Sequence, residues 1–282
     1  MTAAKSKAEK FLALALLTLT LGGCSSYIPD IFEQQDGGPD RHVDLHSIDN
    51  ATPRAEPKSR YGNPSSYVVL GKRYYVMNSS AGFTERGIAS WYGNKFHGRR
   101  TSSGEPYNMY AMTAAHKSLP LPTYVEVTNL QNGRKVIVKV NDRGPFHNNR
   151  IIDLSYVAAA KLGITAKGTG LVEIRAIDPS QPKQPILTSN DKPAKPLASS
   201  QASATPSIYV QAGAFGNQAN ATRLQDRLQQ HLENPVRISQ VTQNNSPLYR
   251  VQVGPLRYVE LADAVSLKLE TMGLANLKIV ID

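Results

Sequence analysis

Between residues 84 and 178 apolar and polar positions alternate in short bursts, at 87–92, 110–114, 124–129, 135–141, 150–154 and 171–177. Alternation with a period of two predicts half-buried strands, and Asn132-Gly133 between two of them predicts a tight hairpin. One helix interrupts the series. Ser155 is a natural N-cap, alanines and Leu162 follow, and Gly163 supplies the stop. Six short strands and a single good helix predict a small closed barrel. After residue 206 the pattern changes to strand, helix, strand, strand, helix, strand. Ile208, Val210 and Ala212 share one face of the first strand, and Ala221, Leu224, Leu228 and Leu232 fall at helical spacing. That βαββαβ order predicts an α+β, ferredoxin-like sheet backed by two helices. Tyr249, Val251 and Val253 then face the helices, leaving Gln211, Arg250 and Gln252 on the open side as a candidate binding platform.

The prolines and glycines, 18 and 20 in 282 residues, mark the boundaries. Residues 24–83 are polar and interrupted by Pro29, Pro39, Pro53 and Pro57, which predicts an extended, disordered tether with a short hairpin near its end, at 67–76. Residues 179–206, rich in Pro, Ser, Ala, Lys and Gln, read as a linker between domains at 84–178 and 207–282 that move independently. The net charge of +10 favours an anionic partner. Nucleic acid, membrane headgroups and cell-wall polymer are the candidates; because the basic residues are dispersed rather than clustered, no nucleic-acid site is expected, and a solvated surface accounts for the charge better than any of them. Cys24 is the single cysteine, so there is no intrachain disulfide. It follows Lys5, Lys7 and Lys10, an apolar run from Phe11 to Leu21, and Gly22-Gly23, the pattern of a secretory signal over residues 1–23. The ending resembles a bacterial lipobox, which implies lipidation of Cys24 and an anchor in the inner leaflet of the outer membrane.

The chemistry gathers in the first domain. Asp142 ends the apolar run Val136-Ile137-Val138-Lys139-Val140 and precedes Gly144-Pro145, which places a carboxylate where a rigid strand hands over to a loop. Glu105 follows Thr101-Ser102-Ser103-Gly104, and His116 follows Thr113-Ala114-Ala115. Two carboxylates and a histidine on one rim suit acid–base work. Each also has a plainer role: Asp142 as a turn cap, Glu105 as a loop charge, His116 as a structural histidine. Arg143 and Asp153 read as an ion pair across the rim. His97, His116, His147 and Asp142 lack metal-ligand spacing, so neither metal nor cofactor is expected.

The segments Gly87-Ile88-Ala89-Ser90-Trp91-Tyr92-Gly93, Phe96-His97-Gly98-Arg99, Thr101 to Glu105, Thr113 to His116, Asn141 to Phe146 and Arg150 to Ser155 together resemble the rare lipoprotein A family. Tyr209 to Phe215 and Tyr249 to Pro255 resemble a SPOR domain. The resemblance implies a double-psi β-barrel, a lytic transglycosylase acting on peptidoglycan strands stripped of stem peptides, and enrichment at the division septum with divisome proteins as partners. It carries active-site roles onto Glu105, His116 and Asp142, with Asp142 as the acid and Glu105 as its electrostatic partner or base. Ser102-Ser103 stands where the family usually has Ala-Asn. A wall-binding protein of expansin type and a septal scaffold remain as alternatives.

Overall fold

A computed structural model describes residues 36–40, 42–180, 206–243 and 245–282. The signal segment, Cys24 and residues 181–205 of the expected linker lie outside the described residues. A two-stranded hairpin comes first, β1 (Ser66–Val69) and β2 (Lys72–Tyr75), turning at Leu70 and Gly71 with positive φ at both. Six strands then close a barrel: β3 (Thr84–Tyr92), β4 (Thr113–His116), β5 (Thr123–Asn129), β6 (Lys135–Asp142), β7 (Arg150–Ser155) and β8 (Gly170–Ala176). Their order around it is β3-β7-β4-β6-β5-β8. The β3–β7 and β4–β6 pairs are parallel and the other four antiparallel. Closure removes every sheet edge. The interior is filled by the alternate residues Val136, Val138 and Val140 of β6 with Ala114, Val125, Val127, Ile152, Leu154 and Ile174. Helix α1 (Tyr156–Leu162) packs Val157, Ala158, Ala159 and Leu162 on that core. Ser155 accepts from the Ala158 N–H as its cap, and Gly163 ends it with φ 80°.

The C-terminal strands β9 (Ile208–Phe215), β10 (Val236–Gln243), β11 (Ser246–Leu256) and β12 (Lys278–Ile281) form one sheet, ordered β10-β11-β9-β12. Helices α2 (Gln218–Gln229) and α3 (Val259–Thr271) cover one face, burying Ala221, Leu228, Ala262, Val265 and Leu269 against Val251 and Val253. The fold class is thus as the patterns predict.

Two expectations fail, each because a contact distant in sequence leaves no local pattern. Residues 42–63 do not hang free as a tether; they strap the barrel. The outward face of β6 carries the apolar Ile137, which the strap buries to 5 % exposure. Ala51 N–H donates to Ile137 O at 3.0 Å, and Ile137 N–H donates to Asn50 Oδ1 at 3.1 Å. Val43, Leu45, Ile48 and Ala51 pack on the core, and Lys161 Nζ on α1 donates to the carbonyls of Leu45 and Ile48. Nor do the two domains stand apart. Ile88 and Leu171 point outward from the barrel and join the core of the C-terminal domain with Ile208 and Val259. Around them Arg150 grips Asp263 with two parallel hydrogen bonds, 3.1 and 2.7 Å. Asn149 Nδ2 donates to Asp263 Oδ1 at 2.8 Å and to Ser266 Oγ at 3.0 Å, and Asn148 Nδ2 donates to Glu270 at 3.2 Å. Asn148 and Asn149 belong to the β6–β7 connection that follows Asp142, and Arg150 opens β7.

Candidate active site

Strict alternation along β6 would put Asp142 on the inner face with Val136, Val138 and Val140. It does not lie there. The β4–β6 pairing runs Ala114↔Val140 and then Ala115↔Asp142, so Asn141 is an extra residue, a β-bulge. A bulge re-aims the following side chain. Paired residues share a face, so Asp142 turns outward with Ala115. Ala115 also pairs with Asp153 on β7, and Asp153 with Ser90 on β3. One outward row therefore crosses four strands as Asp142, Ala115, Asp153, Ser90. Beneath the overlying loop, Ala115 packs with Tyr107 and Met109 and with Tyr92, whose ring stacks on that of Tyr107 at 4.1 Å between centroids.

The same loop delivers Glu105. Its turn is closed by Thr101 N–H on Glu105 O and by Gly104 N–H on Thr101 O, with Gly104 at φ +94°. It is tied to β6 at both ends of the bulge. Asp142 Oδ1 accepts from Ser102 N–H, Ser102 Oγ–H and Arg143 N–H, each at 2.7 Å. Glu105 Oε1 accepts from Lys139 Nζ at 2.9 Å and Oε2 from Asn141 Nδ2 at 2.7 Å. Partial burial pushes the Glu105 carboxyl up, but the donors from Asn141 and Lys139 outweigh it and hold the group below the usual carboxylate range. Lys139 also reaches Glu56 of the strap at 3.2 Å. The two expected carboxylates are thus fastened to one five-residue loop. That loop, with Arg100 and Tyr61, lines an open groove of about 710 Å³.

His116 is elsewhere. It is 2 % exposed, and its Nδ1 accepts from Ser118 N–H at 3.2 Å and Leu119 N–H at 3.0 Å. Its Nε2 faces Glu85 at 3.6 Å, and Phe83 meets the ring edge-on. Burial lowers its pKa against the opposing pull of Glu85. The histidine shapes the turn after β4; it does not line the groove. Nor is the expected Arg143–Asp153 pair formed. Arg143 instead donates to the carbonyls of Gly62, His116 and Leu119 and to Asn63 Oδ1. Asp153 accepts from Ser90 Oγ–H, and burial pushes its carboxyl up despite that bond and the nearby Lys117. Two contributors escaped sequence reasoning, Tyr61 and Glu56 on the strap, and Asp153 reads from sequence only as a partner for Arg143. For Asp153 a signal existed, since alternation puts it opposite the apolar Ile152 and Leu154. No cluster of metal-ligating side chains occurs among the described residues.

On the C-terminal sheet the pairings Arg237↔Gln252, Gln252↔Gln211 and Gln211↔Lys278 put Gln211 and Gln252 on the open face, and Arg250 shares the parity of Gln252. Gln252 is 2 % exposed nonetheless, because Arg237 folds over it, donating to its Oε1 at 2.9 Å and stacking 3.5 Å above the Tyr209 ring. Tyr209, which alternation puts on the same side of β9 as Gln211, belongs to this face, and so does Arg237, which the sequence pattern did not reveal.

Residues 84–174 match the family described as lytic transglycolase, the DPBB_1 domain, and residues 204–276 match the SPOR domain family. The chain is 39 % identical to the endolytic peptidoglycan transglycosylase RlpA of Pseudomonas aeruginosa strain UCBPP-PA14, across 94 % of this chain and 93 % of that one. To the RlpA of Vibrio cholerae serotype O1 it is 50 % identical over 60 % of this chain and 64 % of the relative. Among solved structures, the SPOR domain of the Pseudomonas aeruginosa RlpA aligns with 30 % identity over 26 % of this chain and 96 % of that chain, at a TM-score of 0.25.

Proposed function

The chain belongs to the RlpA family of endolytic peptidoglycan transglycosylases, and from that premise we propose that the loop-and-bulge groove of its barrel cuts glycan strands. The substrate is the amino-sugar strand of the cell wall, preferentially stripped of stem peptides, and the SPOR domain brings the barrel to such strands at the septum. Lipidated Cys24 would hold the protein to the outer membrane. One observation supports the catalytic assignment above others: Asp142 and Glu105 are tied to the same loop, on the outward face that the bulge creates.

Cleavage without water needs a proton on the leaving glycosidic oxygen, a group that shields the developing positive charge, and an acceptor for the hydroxyl proton that closes the anhydro ring. Glu105, held ionised by Lys139 and Asn141, suits the last two roles. Asp142 is the proposed proton donor. A second reading assigns donation to Asp153, the carboxyl of the same outward row, which burial pushes up. Mass spectrometry of purified denuded glycan incubated with the protein tests all of this. The expected products end in anhydromuramic acid, and Asp142→Asn and Glu105→Gln lower the rate by about 10²–10⁴ while the fold survives. If Asp153→Asn abolishes turnover and Asp142→Asn retains a tenth of it, donation belongs to Asp153. Normal digestion by all three variants would put the chemistry on other residues, and no digestion by the unmodified protein would leave a wall-binding protein.

A further inference from the structure

Tyr61 lies in the segment that reads from sequence as tether, yet it forms a wall of the groove. The residue is 58 % exposed, and among the described residues its ring makes no aromatic pair and its hydroxyl no hydrogen bond. A single aromatic left in water is ordinary, but one held rigidly at the wall of a groove presents a preformed stacking surface. Here the loop is pinned on both sides. Ser59 N–H donates to Leu121 O at 2.8 Å and Ser59 Oγ to Ser103 O at 3.0 Å. Asn63 exchanges two 2.8 Å bonds with the backbone of Leu121. Between them Gly62, at φ +80°, accepts from Arg143 Nε at 2.8 Å, and a Cβ there would lie 2.7 Å from Ser102 O. The anchors thus lead to Ser102, Ser103 and Arg143, the residues around Asp142. One edge of the ring rests over Gly104, where an added Cβ would come within 3.3 Å of it, and the Arg60 guanidinium lies 5.5 Å from its centre.

A rigidly mounted, outward aromatic beside an ionised carboxylate is the arrangement that takes a sugar ring, whose axial C–H groups carry partial positive charge toward the π-face. We propose that Tyr61 is a stacking platform for one pyranose of the glycan strand, seating the sugar beside Glu105. This rests on the reading that the groove takes glycan. It assigns Tyr61 to binding rather than to chemistry.

The test uses the full-length protein in detergent. Tyr61→Ala raises KM for denuded glycan about tenfold, with kcat within twofold and an unchanged melting temperature, because an exposed ring contributes little to the fold. Tyr61→Phe and Tyr61→Trp restore KM and Tyr61→Leu does not, which separates stacking from mere apolar bulk. In Tyr61→Trp, emission shifts on titration with a glycan oligosaccharide, in a background carrying Glu105→Gln to prevent turnover. Unchanged KM in Tyr61→Ala together with unmoved tryptophan emission overturns the platform while leaving cleavage intact. An emission shift, where the protein with Glu105 unmodified releases no anhydro products, would keep the platform and overturn the catalytic reading instead.

Discussion

Gly104 sits at φ +94°, where a side chain is strained, and its missing Cβ is also what lets the Tyr61 ring lie against the loop. Gly104→Ala is therefore expected to cost about 1–2 kcal/mol of stability and to displace the ring, raising KM as Tyr61→Ala does. Calorimetry and steady-state kinetics read the two effects separately. Ser102 has a different part. Its N–H and its hydroxyl both serve Asp142 Oδ1. The backbone donor alone would hold the carboxylate in place, and the hydroxyl adds a second restraint on its rotation. His116 shows the opposite case: a residue that reads as catalytic by its company in the sequence spends Nδ1 on the turn that follows it and turns Nε2 toward Glu85 of β3.

At the scale of elements, the barrel strands, α1 and the βαββαβ order were legible because alternation, an N-cap and a stop glycine act within a few residues. The bulge at Asn141 was not, since it depends on how β6 registers with β4, and counting along one strand cannot see a partner. The strap was not legible for a similar reason: its hydrogen bonds go to Ile137 and Leu121, and it has no period of its own. Its contribution is measurable through Glu56. Burial pushes that carboxyl up, but bonds from Tyr124, Arg54 and Lys139 prevail and bring it from 4.5 down to about 2. A carboxyl lowered on folding stabilises above its unfolded pKa and loses that contribution as pH falls through the folded one. Glu56→Gln is thus expected to cost about 2 kcal/mol at pH 7. The gap from the unmodified protein closes between pH 4.5 and about pH 2, as denaturant midpoints along that series would record. A gap that persists at pH 2 would deny Glu56 this role.

Taken whole, the molecule joins its two domains through α3 and the connection that follows Asp142. Arg150 is 8 % exposed and has Asp263 as its charge partner, so Asp263→Ala strands a cation at the interface, at a cost of about 2–4 kcal/mol in docking. Small-angle scattering is expected to show an expanded, variable envelope for that variant, with each domain's fold retained. An unchanged envelope would mean that Ile88, Leu171 and their apolar neighbours suffice. The linker composition pointed to free motion, and the docked surface could not be seen from it because Ile88 and Leu171 read as ordinary strand residues. Docking has a further consequence. A tethered pair samples many separations and imposes no preferred spacing between the point where a strand is held and the point where it is cut. A pair on a common frame works as a gauge: the shortest strand that can occupy both positions is set by the protein's own dimensions. The fragments it leaves behind would inherit that dimension as their lower length, and loosening the frame at Asp263 would blur it.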